Sequence, residues 1–231
     1  RDGPADVFGT ILGESFNRDA VVAGLGGALR EPQDIEWRIQ QNYFKFHACC
    51  RINHPAVEAA LELRRRERFT SAEVETVEVA LRRHIDGMVG AYPQNMLAAK
   101  FSVPYAVAAA LVRGRADVTA FCPDAIRDDR VRVLAARVKV RPDVETMGQP
   151  DGPTARMWVR LKDGRTLTSV IGIVPGDYGN RVPREEVVNK FLSLTAEVLG
   201  SRRGEDVIQV IARLEDLRDV RSQGDEVRAG G

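Results

Sequence analysis

The spacing of apolar positions divides the chain into segments of different period. From Pro55 to about Arg66 the apolar positions Val57, Ala60 and Leu61 recur at helical intervals. Pro55 suits the first helical position, which makes Asn53 or His54 the cap, and Arg64, Arg65 and Arg66 read as a solvated helix end. Glu73 to Leu81 alternates instead. Val77, Val79 and Leu81 fall on one face and Thr76, Glu78 and Ala80 on the other, as in a half-buried strand. A short helix is expected around Asn95 to Lys100. Ser102 then serves as N-cap and Pro104 fits the first turn of a helix whose positions Val103 and Ala106 to Val112 are almost wholly apolar. That pattern predicts burial on all sides, and Gly114 ends the helix.

A further helical segment is expected over about Asp117 to Ala136, leading into a strand at Arg137 to Arg141. The clearest alternation sets Met157, Val159 and Leu161 against Arg156, Trp158 and Arg160. Asp163-Gly164 makes the turn of a hairpin, and Leu167 to Val174 returns. Pro175, Gly176 and Gly179 mark a boundary loop. Pro183 opens a helix to Leu199, with Val187, Val188, Phe191, Leu192 and Leu194 as core candidates. A last helix covers about Asp206 to Leu217, and the charged and glycine residues after Ser222 are expected to fray. Residues 1–42 read as helix and then loop, with Val7, Ile11 and Leu12 at helical spacing. The sum is an α+β unit with a sheet of about four strands, set between two pieces of a helical region.

One stretch fits neither period. Tyr43 to His54 packs Lys45, His47, Cys49, Cys50, Arg51 and His54 into a loop. It holds two of the chain's three histidines and two of its three cysteines, so any chemistry is sought here first. Cys49-Cys50 is not a metal motif, because neighbouring side chains diverge and no second pair completes a tetrahedral site. Val21 to Gly27 is superficially like a dinucleotide loop, but Leu29 stands where the pattern needs a glycine, and no βαβ pattern surrounds it.

Composition narrows the classes. The 231 residues suffice for one large or two modest domains, and 44% hydrophobic with 29% charged is ordinary for a globular chain. No apolar run is long enough to span a membrane, and a net charge of +1 argues against a nucleic-acid footprint. Three cysteines make no disulfide framework, so a reducing cytoplasm is the default. The chain starts at Arg1 with no signal peptide, which suggests a fragment or a processed chain.

Four motifs then fall in order. Tyr43-Phe-Lys-Phe-His-Ala-Cys-Cys-Arg-Ile-Asn-His-Pro-Ala-Val-Glu-Ala-Ala60 resembles the K-P-Y-P-C-C-R-x-x-H-x-x-I-D-A-A segment of the MmgE/PrpD family. Ala99-Lys-Phe-Ser-Val-Pro-Tyr-Ala-Val-Ala-Ala-Ala110 resembles that family's next motif. The Asp163-Gly164 hairpin follows. Gly176-Asp177 with Asn180, and Glu185-Glu186 with Lys190-Phe191, complete the series. The resemblance runs from about residue 30 to 200 and covers the C-terminal half of a family member. The family includes 2-methylcitrate dehydratase, cis-aconitate decarboxylase and iminodisuccinate epimerase.

What the resemblance implies is a small α+β lid domain with an antiparallel sheet of about four strands, flanked by helices of an all-α domain. The boundaries would be 1–42 for the end of the helical domain, 43–178 for the lid, and 179–231 for helices returning to the helical domain. It also implies a cofactor-independent and metal-free lyase of the 2-methylcitrate dehydratase type, acting on a small polycarboxylate in a basic interdomain cleft and assembling as a homodimer. The remaining half of the site, with catalytic Asp and His residues, would come from the missing N-terminal helical half, so the isolated chain is expected to be inactive. Epimerisation, decarboxylation, or a carboxylate-binding role without catalysis are the alternatives.

Such chemistry needs fixed cations for carboxylates, a base near neutrality and a proton donor. Lys45 resembles the family's cleft lysine and would hold a carboxylate as a point charge, against the alternative of a surface lysine. His54 lies at a helix start, where the dipole keeps an imidazole neutral, as a base must be; the alternative is a capping or packing histidine. Tyr105 matches a tyrosine lining the cleft in the decarboxylase branch and would donate a hydrogen bond; otherwise it is a buried tyrosine. Arg51 is a candidate bidentate clamp, and Ser102 a candidate substrate contact or simply the cap. Cys50 is a candidate substrate contact that falls where the decarboxylase branch carries a histidine, which weakens the decarboxylase reading; otherwise Cys49 and Cys50 are packing residues of the loop. Lys100 is a second cation or a solvated lysine. His47 replaces an aromatic residue, either to tune specificity or to face solvent. His84 receives no role.

Overall fold

The computed structural model describes residues 38–82, 87–147, 149 and 152–216, together with Asp19. The expected first helix, the glycine-rich stretch at 21–27, His84 and the tail from residue 217 lie outside the described residues. Contacts divide the chain into two units, Arg1–Gln41 and Asn42–Gly231.

In the larger unit, helix α1 is His54–Arg66, with Pro55 in its first turn. It buries Ala56, Val57, Ala59, Ala60 and Leu63, a face of small residues that lets neighbouring elements approach closely. Strand β1 is Val74–Leu81. Helices α2, Met96–Phe101, and α3, Val103–Arg113, follow. As the apolar run predicts, α3 is buried from Val103 to Leu111. The Ser102 hydroxyl accepts from Tyr105 N at 3.1 Å to start it, and Gly114 at φ 71° ends it.

Strands β2, Val138–Pro142, β3, Ala155–Leu161, and β4, Thr166–Ile171, complete a four-stranded sheet in the order β2-β1-β3-β4. The fold is α+β. The sheet is mixed rather than wholly antiparallel: β1 pairs β2 in parallel, Val79 opposite Val140, and β3 antiparallel, Val79 opposite Met157. The parallel pair follows from connectivity, because the helices between β1 and β2 carry the chain back to the starting edge. α1 and α3 pack on the sheet's apolar face, where Leu63, Leu81, Leu111, Met157 and Leu161 form the core with Phe121. The opposite face is charged. Arg141 reaches Glu78 at 2.7 Å, and Arg160 reaches Glu75 at 2.9 Å.

Three expectations change. The helix expected over 117–136 is broken into a 3-10 turn, Val118–Phe121, then α4, Pro123–Arg127, and α5, Asp129–Ala135. Pro123 has no N–H to continue a ladder, and Asp128 caps α5 by accepting from Arg130 N at 3.0 Å. The arginine run at the end of α1 is not merely solvated. Arg64 donates to Leu111 O, and to Val112 O at 3.2 Å, satisfying carbonyls at the end of α3. Finally α6 runs Arg184–Ala212 across a break at Gly200, whose φ of 71° and ψ of 164° no helix accommodates. Val187, Val188, Phe191 and Leu192 on it are half-buried and Leu194 is exposed, so its apolar positions are not core within this unit.

Candidate functional site

The polar loop before α1 is held in place by backbone bonds to three distant segments. Phe44 N donates to Gly176 O at 2.9 Å, Ala48 N to Ala116 O at 2.8 Å, and Cys50 N to Lys100 O at 2.8 Å. Gly176 adopts φ +88°, and a Cβ there would collide with Phe44 O, so glycine is required where the two chains cross. Lys190 on α6 donates its ammonium to Lys45 O and sits 5.7 Å from the centre of the Phe46 ring.

One face of this loop forms the wall of a cleft of about 650 Å³. Lys45, His47, Cys50, Lys100 and Lys190, the carboxylates of Asp117 and Glu186, and Asn189 and Ser193 supply its polar lining, and Leu97, Phe101, Val118 and Leu194 its apolar side. Burial and then the charge of Lys45 push the Lys190 ammonium below its ordinary value, so the two lysines sense each other. The charges of Lys45 and Lys100 both reach Cys49, which is buried and whose thiol is nevertheless pushed up to about 12, chiefly by burial. It therefore stays a thiol. His47 Nε2 meets Glu58 Oε1 at 2.6 Å, with side chains only 10% and 13% exposed.

Behind the wall lies a second network. The Tyr43 hydroxyl donates to His54 Nδ1 at 2.5 Å, and His54 Nε2 donates to Cys49 O at 3.3 Å. The carbonyl can only accept, so the proton sits on Nε2 and Nδ1 receives the phenol. Arg51 stacks 4.5 Å from the centre of the Tyr43 ring and pairs with Asp177. Burial, with the charge of His47 second, lowers His54 to about 4, so the ring is neutral near pH 7.

The pattern of the MmgE/PrpD C-terminal domain matches residues 47–216. The chain belongs to the MmgE/PrpD family. It is a C-terminal half of the family's architecture, and its α+β arrangement is the one that the sequence motifs imply. Among curated proteins it is similar to cis-aconitate decarboxylase of Mus musculus, 24% identical over 95% of this chain and 48% of that protein. It is likewise 24% identical to cis-aconitate decarboxylase of Aspergillus terreus, over 89% of this chain and 42% of that protein. The human cis-aconitate decarboxylase is 26% identical over 55% of this chain. The chain spans about half the length of the curated relatives it matches.

The family motifs part company in the fold. Lys45 and Cys50 are on the cleft wall, joined by Lys100. Arg51 turns to the far side, where it lines a separate cavity of about 490 Å³ with Asp177 and Tyr178. His54 is 1% exposed and behind the wall, with both ring nitrogens engaged. Tyr105 is fully buried, its hydroxyl donating to Ala120 O at 2.8 Å and pushed up to about 12 by burial. The Ser102 hydroxyl caps α3 and donates to Gly90 O at 2.5 Å. The structure thus assembles Lys45, Cys50 and Lys100 at the cleft and brings neither Tyr105 nor Ser102 to it.

Sequence reasoning passed over Tyr43, Glu58 and Lys190. Lys190 stood inside a quoted motif, which was the available signal. Glu58 had a weaker one, an acid four residues after His54 on the first turns of a helix. Among the described residues no group of His, Cys, Asp and Glu is placed to hold a metal ion. No described helix is long and apolar enough to cross a membrane.

Proposed function

We propose that the chain is the carboxylate-holding part of a lyase acting on a small polycarboxylate, by proton transfer at a carbon next to a carboxylate. The observation that carries this reading is the convergence of Lys45, Lys100 and Lys190 on one half-apolar cleft. Three ammonium groups match an anion with two or three carboxylates, and the apolar side of the cleft raises the strength of each contact by excluding water. The two adjoining lysines Lys45 and Lys190 repel each other when the cleft is empty, and a bound dianion relieves that repulsion. Remaining catalytic groups would come from the N-terminal helical half of the family's architecture, and two copies of the protein pair as a homodimer.

Two outcomes of the proton transfer are supported by different observations. Loss of water, as from 2-methylcitrate, is supported by Cys50, a half-buried thiol on the cleft wall at the position where the decarboxylase branch carries a histidine. Loss of carbon dioxide is supported by the relatives, which carry the name cis-aconitate decarboxylase. The experiment is to offer the protein 2-methylcitrate and cis-aconitate separately and to record water loss and carbon dioxide release. Calorimetric titration with tricarballylate, a tricarboxylate with no leaving group, tests the binding itself. Absence of binding, or equal binding by Lys45→Ala, overturns the assignment of this cleft.

A further inference from the structure

His47 and Glu58 form a pair that the cationic reading of the cleft leaves unused. His47 is one of the residues that line the cleft; its side chain is 10% exposed, its ring lies 5.0 Å from that of His54, and its Nε2 is tied to the Glu58 carboxylate at 2.6 Å. Burial raises the Glu58 carboxyl, but the hydrogen bond and charge of His47, with Arg65 and His54, outweigh it and hold the group below its ordinary value. Glu58 is therefore a carboxylate and only accepts, so the neutral imidazole carries its proton on Nε2. The lone pair is then on Nδ1, and the side-chain hydrogen bond of His47 among the described residues runs through Nε2. This contrasts with His54, whose two nitrogens are both occupied.

Resting on the polycarboxylate reading above, we infer that His47 is the proton carrier of this cleft and Glu58 its positioning residue. The Nδ1 lone pair forms an N–H bond as a C–H bond next to a substrate carboxylate breaks. The electron pair of that bond stays on the substrate and spreads into the carboxylate. The imidazolium gains one positive charge, which Glu58 balances, and the substrate gains one negative charge, which Lys45 and Lys100 face. The reverse step returns the proton to carbon. A carboxylate-held histidine beside fixed cations is the arrangement that general base catalysis requires. The other titratable groups around His47 are His54 on α1, Lys45 and the two thiols of the loop, Lys100 on α2, Asp117, and Glu186 with Lys190 on α6.

The test follows methylene protons of cis-aconitate by proton NMR in deuterated buffer, alongside calorimetric binding of tricarballylate. The expected result is exchange catalysed by the wild-type protein and reduced about a hundredfold or more in His47→Gln, while tricarballylate still binds. In Glu58→Gln, exchange persists and its pH midpoint falls, because the neutral amide no longer stabilises imidazolium. A merely structural Glu58 would leave the midpoint in place. Binding without exchange by the wild-type protein, or exchange that survives His47→Gln, overturns the inference and leaves the binding reading intact. Absence of tricarballylate binding removes both.

Discussion

The Tyr43 hydroxyl is 2.5 Å from His54 Nδ1, and through it the neutral imidazole holds Cys49 O, the carbonyl beside the cleft wall. His54 thus acts as a bracket: it joins the first turn of α1 to the loop that presents Lys45 and Cys50. Replacing Tyr43 by Phe removes the donor and leaves a buried ring nitrogen unpaired. The expected cost is about 1–3 kcal/mol, read as a lower urea midpoint with an unchanged slope.

The same bracket makes stability depend on pH. His54 is lowered from 6.5 to about 4 in the folded protein, so the unfolded chain binds the extra proton first. The neutral ring's contribution is complete above about pH 6.5 and is lost as pH falls from there towards about 4. Over that window the loss is roughly 3 kcal/mol. His54→Gln should flatten this part of the pH–stability curve, measured by urea unfolding at successive pH values.

Gly176 should tolerate no side chain. Its φ of +88° and the carbonyl of Phe44 in the path of any Cβ make Gly176→Ala cost on the order of 1–3 kcal/mol. Part of the cost appears as a displaced Lys45, so tricarballylate affinity should fall together with melting temperature. Gly164, also at positive φ but with open space around it, should cost less and leave affinity alone.

Leu63 is fully buried between α1 and the sheet. Leu63→Ala should destabilise by about 2–5 kcal/mol in thermal unfolding, with tricarballylate affinity unchanged below the transition. The thiols give a complementary readout. Cys49 is buried and held protonated, so it should resist alkylation by iodoacetamide at neutral pH until the protein unfolds.

Much of this arrangement is legible in the sequence, and the misses have physical causes. The alternation from Met157 to Leu161 and the apolar run of α3 are local signals, and both elements appear where their periods place them. The parallel partner of β1 is not a local property. Val140 lies opposite Val79 because four α-helices intervene, and no period reports that. The same holds at the cleft. Lys45 stands at the cleft wall, whereas His54 and Tyr105 are buried away from it. Helix starts look alike in sequence whether they open to a cleft or into a core. The partner of His47 is eleven residues away and on the following helix, so only folding reveals it.

The ammonium of Lys190 on the carbonyl of Lys45 joins residues 145 positions apart. The sheet and its two covering helices are complete once residue 171 has emerged, so during synthesis the core closes first. The cleft gains its last wall only when α6 arrives. A chain released early, before residue 190, would lack the α6 side of the cleft and, on the proposed reading, bind tricarballylate less well. Pulse-chase proteolysis of stalled nascent chains should therefore show protection of the core before tricarballylate can add to it.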